Sequence, residues 1–421
     1  NENSFISTRI EEIDETKKKV VKLDGNEIVE DDSFSYPGPY ATDLYQGDIM
    51  LTNEQLDLIV SDSIRSRRQA QKNYLYPSNI WKNDPIPYSF DSNIPWNKKA
   101  PIRAAIKFWE QNTCIRFSEN GSGKDRIRFI NGNGCWSMIG KIGGEQRVSI
   151  GSGCSWIGTI AHELEHAFGV WHTQTRYDRG YYLAVNKENI QSYQMHNFDV
   201  QAKENTDLLG IPYEFGSVMH YADNAFAIDS SKPTLVTRNG YERFQDSMSN
   251  YLPSFYDIKL INTYYGCYDK CSNKLSCENG GQQDVNYCNQ CKCPPGYSGQ
   301  LCQYTSTKGC DQSMLIGKYP SNFTAVAGSE GLWSYTYTEC AIHLKSSDPS
   351  KRLKLNVITK GGYSSWNCYG AGVDVRVMKD PAMSGLRLCR PNTKFNPIYS
   401  DGNSMVLNLF ARVNYVAFEF S

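Results

Sequence analysis

The sequence predicts an α+β chain built from several domains, on three observations. Its helix-period and strand-period stretches are grouped rather than strictly alternating. Its 421 residues imply about three domains on the usual size prior. Its 14 cysteines are even in number and cluster toward the C-terminus, which reads as a disulfide framework made in an oxidising compartment. A net charge of −1 provides no global field for nucleic acid or an anionic membrane. No apolar stretch reaches the ~18 residues that span a bilayer. The first residues, Asn1-Glu2-Asn3-Ser4, are polar and no signal peptide is read there. The triplets at Asn120 and Asn322 are N-glycan acceptor sequons, in keeping with a secreted, extracellular protein.

Residues 1–68 hold acidic clusters such as Glu30-Asp31-Asp32 and contain neither cysteine nor tryptophan. Leu56, Ile59, Val60 and Ile64 share one side of a helix expected over 53–64. The segment ends in Arg65-Ser66-Arg67-Arg68, a multibasic run at the border of a cysteine-rich block. We read Arg65, Arg67 and Arg68 as a processing site cut by an activating protease.

The next block, 69–267, opens with a helix expected over 100–112, where Ile102, Ala105, Ile106 and Trp109 recur at helical spacing. Strands are expected at 115–117, 127–130 and 147–150. A helix over about 158–168 carries the histidine motif below. Another is expected near 254–264. Residues 268–306 are too short for an independent core and hold Cys271, Cys277, Cys288, Cys291, Cys293 and Cys302. Three staples are favoured over a small zinc module, because no histidine lies nearby. From 310 on, alternating runs such as Val373-Asp374-Val375-Arg376-Val377 and the tail 406–420 read as strands with one buried face, and a β-sandwich is expected.

The chemistry is carried by His162-Glu163-Leu164-Glu165-His166-Ala167-Phe168-Gly169-Val170-Trp171-His172. His162 and His166 leave one helix face one turn apart, as two ligands of a tetrahedral zinc ion require. Gly169 lets the chain leave the helix in a left-handed conformation, and the turn returns His172 as third ligand. The fourth position stays open, which separates a catalytic site from a structural one. Glu163, next to the first ligand, suits a general base. Glu165 is expected to face solvent and is given no role.

These residues resemble the astacin family of metalloproteases, a branch of the metzincins. The zinc run continues as His172-Thr173-Gln174-Thr175-Arg176-Tyr177-Asp178-Arg179, similar to the family's HExxHxxGxxHExxRxDRD signature. Ser217-Val218-Met219-His220-Tyr221 resembles its Met-turn, and Thr113-Cys114-Ile115-Arg116-Phe117 its first-cysteine segment. Tyr45-Gln46-Gly47-Asp48 resembles the FxGD motif of its pro-segments. The downstream blocks look like an EGF-like module and a CUB domain, the tail found in many roundworm astacins.

The resemblance implies a two-lobed protease domain with the zinc helix in its cleft. It implies a pro-segment over 1–68, a catalytic domain over 69–267, an EGF-like module over 268–306 and a CUB domain over 307–421. It assigns one catalytic zinc to His162, His166 and His172, an apolar floor to Met219, and oxyanion stabilisation to Tyr221, which also serves as a fifth ligand in resting enzymes. Asp48 would bind the zinc in the zymogen only. The implied disulfides are Cys114–Cys267, Cys135–Cys154, Cys271–Cys288, Cys277–Cys291, Cys293–Cys302, Cys310–Cys340 and Cys368–Cys389. Two positions depart from the pattern. Thr173 stands where the family has the glutamate that anchors the mature N-terminus, and Gly180 replaces the last aspartate of the signature. No calcium is expected in the CUB-like part, since no carboxylate follows closely on Cys368. The activity implied is that of a secreted zinc endopeptidase made as a zymogen, acting on extracellular, matrix or cuticle-like proteins, with the strand near Arg147–Ile150 pairing with substrate and the tail selecting or localising it. The alternative is an inert adhesive protein that keeps a protease-like domain.

Overall fold

The computed structural model describes residues 21–23, 26–28, 44–56, 80–81, 85–203, 206–362, 368 and 370–421. The multibasic Arg65, Arg67 and Arg68 lie outside them, as does most of the helix expected over 53–64. Its residues 53–56 form a helical turn.

The upper lobe is a six-stranded sheet against two helices. Its strands are β1 (Ile49–Met50), β2 (Ile86–Phe90), β3 (Phe117–Glu119), β4 (Arg126–Ile130), β5 (Cys135–Met138) and β6 (Glu145–Ile150), in the order β1-β5-β6-β4-β2-β3. Only β5 and β6 run antiparallel; the other pairs are parallel. The first strand comes from the N-terminal segment and pairs with β5 through Ile49–Ser137 and Met50–Met138. Without β1, β5 is the edge of this sheet. The expectation that substrate pairs with 147–150 is therefore overturned, because β6 already has β5 on one side and β4 on the other. Periodicity reports which face of a strand is buried, not which neighbours its backbone has.

Helix α1 (Trp96–Asn112) starts a turn earlier than its periodicity predicts and contains Pro101. The proline forfeits one backbone bond near the helix start, and its ring is buried. Ile102, Ala105, Ile106 and Trp109 face a core shared with Ile127, Phe129, Val148 and Ile150 of the sheet and with Ile160, Ala161 and Leu164 of helix α2 (Ile157–Ala167). The Trp109 indole donates to the Ala161 carbonyl at 3.2 Å and locks the helices together. The lower lobe, from His172 to Met248, is mostly loops and 3-10 turns with a short hairpin of Leu183–Val185 and Leu235–Thr237. Helix α3 (Phe255–Tyr264) follows, started by a capping box between Ser254 and Asp257.

The C-terminal part is β-rich. Strands β7 (Gln312–Ile316), β8 (Phe323–Ser346), β9 (Val357–Gly362), β10 (Ala371–Arg376), β11 (Leu386–Leu388) and β12 (Ser404–Phe420) form one sheet in the order β7-β8-β12-β10-β11, with β9 also on β12. Its buried face is continuous with the lower lobe: Val373, Val375 and Leu407 belong to the same apolar cluster as Leu183, Phe198, Phe215 and Tyr221. Seven disulfides staple the chain, Cys114–Cys267, Cys135–Cys154, Cys271–Cys288, Cys277–Cys291, Cys293–Cys302, Cys310–Cys340 and Cys368–Cys389. No helix among the described residues is long and apolar enough to cross a membrane.

Candidate active site

All eleven residues of α2 are buried, because the helix is enclosed by the sheet, by α1 and α3, and by the lower-lobe segment at Val218. One face carries His162 and His166. The helix ends at Phe168, and Gly169, at φ 105°, turns the chain so that His172 comes back beside them. The three imidazole centroids lie 4.6, 5.2 and 4.7 Å apart.

Each ring is oriented through its Nδ1. His162 Nδ1 bonds the Val218 carbonyl at 2.7 Å and His166 Nδ1 the Val170 carbonyl at 2.8 Å. His172 Nδ1 bonds Gln46 Oε1 at 2.9 Å. A carbonyl partner on Nδ1 fixes that nitrogen as the protonated one and leaves Nε2 as a lone-pair donor. All three Nε2 atoms converge on the Asp48 carboxylate, at 3.2, 3.4 and 3.2 Å. The four ligand atoms lie within 4.8 Å of one another and are buried. His166 Nε2 and Asp48 Oδ1 have no hydrogen-bond partner. Imidazole nitrogens with no proton to give, gathered round one carboxylate, make a donor set that fits a zinc ion.

The electrostatics agree. Burial lowers His166, and it lowers His172 to about 3, so both rings are held neutral as ligands must be. Glu163 is 1 % exposed and its Oε2 is unpartnered. Burial, then the charge of Asp48, raises its pKa well above the ordinary value.

Below the histidines, Met219 is fully buried and its carbonyl accepts from Thr173 N at 2.9 Å. The Thr173 hydroxyl donates to Ser217 Oγ at 3.0 Å, so the position that departs from the family pattern ties the zinc segment to the Met-turn. Tyr221 packs on His172 with centroids 4.7 Å apart, and its hydroxyl donates to the Gln46 carbonyl at 2.5 Å.

Glu165 corrects an expectation. It is 0 % exposed, and among the described residues neither carboxyl oxygen has a hydrogen-bond partner. Burial, and then the charge of Asp257, pushes its pKa well above the usual range. The helix has no solvent face, so spacing along it could not reveal one. Gln46 is the residue that sequence reasoning missed. It orients His172 and captures Tyr221, and only its place between Tyr45 and Gly47-Asp48 hinted at a role.

Residues 73–266 match the family model of the Astacin peptidases. The chain is similar to zinc metalloproteinase nas-23 of Caenorhabditis elegans, 33% identical over 383 residues, covering 87% of this chain and 69% of that protein. Zinc metalloproteinase nas-31 of the same organism is 33% identical over 381 residues, covering 88% of this chain and 61% of that protein. Among solved structures, the chain is similar to High choriolytic enzyme 1, a hatching enzyme zinc-protease from Oryzias latipes, 33% identical, covering 47% of this chain and 99% of that one at a TM-score of 0.43. With identity at this level extending over more than two thirds of a zinc metalloproteinase, the chain belongs to the astacin family and is a zinc metalloendopeptidase.

Proposed function

We propose that the chain is the latent form of a secreted endopeptidase acting on extracellular proteins. One observation carries this reading: the Asp48 carboxylate lies against all three histidine Nε2 atoms while β1 covers the edge of β5. A segment that fills the metal site and occupies the sheet edge next to it shuts out substrate at both. We assign 1–68 to the pro-segment, 69–267 to the catalytic domain, 268–306 to an EGF-like module and 307–421 to a CUB domain. Activation is cleavage at Arg65, Arg67 or Arg68 by a second protease.

His162, His166 and His172 would hold zinc, whose Lewis acidity would polarise a scissile carbonyl and lower the pKa of a nearby water toward ~7. Once 44–50 has left, the freed edge of β5 aligns an extended peptide by strand addition. Glu163 takes the proton of the attacking water and delivers it to the leaving amine. Tyr221, released from Gln46, donates a hydrogen bond to the developing oxyanion. Met219 keeps the floor of the site apolar. Asn120 and Asn322 are the proposed glycan sites.

The test is Glu163→Ala in processed protein. It is expected to retain one zinc per chain by metal analysis and to lose cleavage of casein or gelatin. Wild-type rates in that variant would reject Glu163 as the base.

A further inference from the structure

We infer that a loop of the C-terminal β-rich module, residues 380–385, is a positioning element of the catalytic centre, braced under the Met-turn. It goes beyond the latency proposed above and rests only on His162 being a zinc ligand.

The loop is prebuilt on its own side. Asp374 and Arg376 of β10 form a buried ion pair at 3.0 Å. Asp374 Oδ1 accepts from Gly385 N at 2.6 Å, and Arg376 Nη1 donates to the Pro381 and Ala382 carbonyls at 3.0 and 3.4 Å. Asp380 Oδ1 accepts from Ala382 N at 3.0 Å. These bonds set the loop's shape without help from the protease.

Its tip then meets the protease at two points that flank the Met-turn. Ser384 N donates to Glu214 Oε2 at 3.0 Å, and the other oxygen of that carboxyl accepts from Gly216 N at 3.0 Å. Glu214 is 3 % exposed, so both bonds replace lost water. Gly216 is bare for a reason: a Cβ there would lie 2.5 Å from the Cβ of Ser384. On the other flank, the Tyr256 hydroxyl donates to Asp380, while Ala382 and Met383 pack with Ile211 and Tyr256.

From these points the contacts lead to the metal centre. Ser217, next to Gly216, donates its hydroxyl to Asp257 Oδ1 at 2.6 Å, and Val218 N donates to Asp257 Oδ2 at 3.0 Å. Asp257 follows Tyr256 on α3. The Val218 carbonyl is the acceptor that orients His162. Every step from Ser384 to His162 is therefore a hydrogen bond or a peptide unit. A second grip lies at the other end of the zinc helix, where the Arg412 guanidinium of β12 sits 4.4 Å over the ring of Trp156, the residue that precedes α2. Removing an outer-shell partner of a metal ligand costs roughly 10–100-fold in metal affinity or activity. The tail brace, one link further out, belongs at the low end of that range.

The test uses processed, full-length protein. Ser384→Pro deletes the tail's donor, and Glu214→Gln keeps the volume but turns one acceptor into a donor. Arg243→Ala is the control: it removes the two bonds from Arg243 Nη2 to the Asp401 carboxylate, a tail contact away from the Met-turn. Turnover of a short fluorogenic peptide, zinc loss to a competing chelator and the melting temperature are measured for each. Ser384→Pro and Glu214→Gln are expected to lower kcat about tenfold with KM within twofold, and to speed zinc loss by a similar factor. Arg243→Ala is expected to lower the melting temperature and leave kcat and zinc loss unchanged. Wild-type kcat and zinc loss in Glu214→Gln, or losses that track only the unfolded fraction in all three variants, would overturn the proposal. Wild-type protein that binds no zinc would instead refute the three-histidine centre.

Discussion

Replacing Asp48 with alanine removes the carboxylate that the N-terminal segment lays on the histidines. Its side chain is 2 % exposed and touches three imidazoles, at 3.2, 3.4 and 3.2 Å. Losing the contacts of one buried charged group costs about 1.5–3 kcal/mol. At ~1.4 kcal/mol per tenfold, the closed state loses roughly one to two decades of its advantage. The segment keeps other holds: the backbone pairing of β1 with β5, the Gln46 bonds to His172 and Tyr221, and the edge-on contact of Tyr45 with Trp171 at 5.8 Å. The uncut variant should therefore leak rather than open fully. The assay is hydrolysis of a quenched fluorescent peptide by full-length chain in which Arg65, Arg67 and Arg68 are alanine, so that no processing occurs. Activity of uncut Asp48→Ala well above uncut wild type is expected, with equal rates for the two when the arginines are kept and both are processed. A folded, zinc-loaded Asp48→Ala chain as silent as its parent would refute the reasoning.

Three further outcomes follow from the geometry. Tyr221→Phe in the processed enzyme should lower kcat by ~10²–10³ with little change in KM, measured on a short peptide. Glu165→Met should raise the unfolding free energy of the full chain by about 1–3 kcal/mol in a denaturant titration, because it removes two buried oxygens that have no partner. Glu214 gives a pH effect. Burial raises its pKa from 4.5 to about 7 against the lowering by Ser384 and Gly216 N–H, with Asp257 raising and Arg376 lowering it. The folded state thus holds a proton between pH 4.5 and about 7 that the unfolded chain releases. Its contribution is full below that window and lost as pH rises through it, at up to ~1.4 kcal/mol per unit. Glu214→Gln should flatten this slope in denaturant titrations at pH 5 and 7.5, and an unchanged slope would count against the assignment.

The zinc motif was legible because it is local. Eleven consecutive residues hold three histidines, the proposed base and the turn glycine, and one helix with the turn after it brings them to one place. Helices α1 and α3 were legible for the same reason, since one apolar face repeats at 3.6 residues. Asp48 and Tyr221 lie 114 residues before His162 and 59 after it. Nothing in their spacing shows that they meet, and only the resemblance joined them to the site. Glu165 was misread because periodicity assumes a helix with one wet side, and α2 has none.

The sequence by itself determined which side chains can hold a metal and which stretches curl or extend, because those properties depend on neighbours within a turn or two. Tertiary structure alone decided that β5 rather than β6 is the edge beside the cleft, that Gln46 orients His172, and that Ser384 reaches under the Met-turn. The strand pairings rest on backbone N–H and carbonyl groups, which leave no mark in the identity of the residue that carries them, and the Gln46 and Ser384 contacts join groups more than a hundred residues apart.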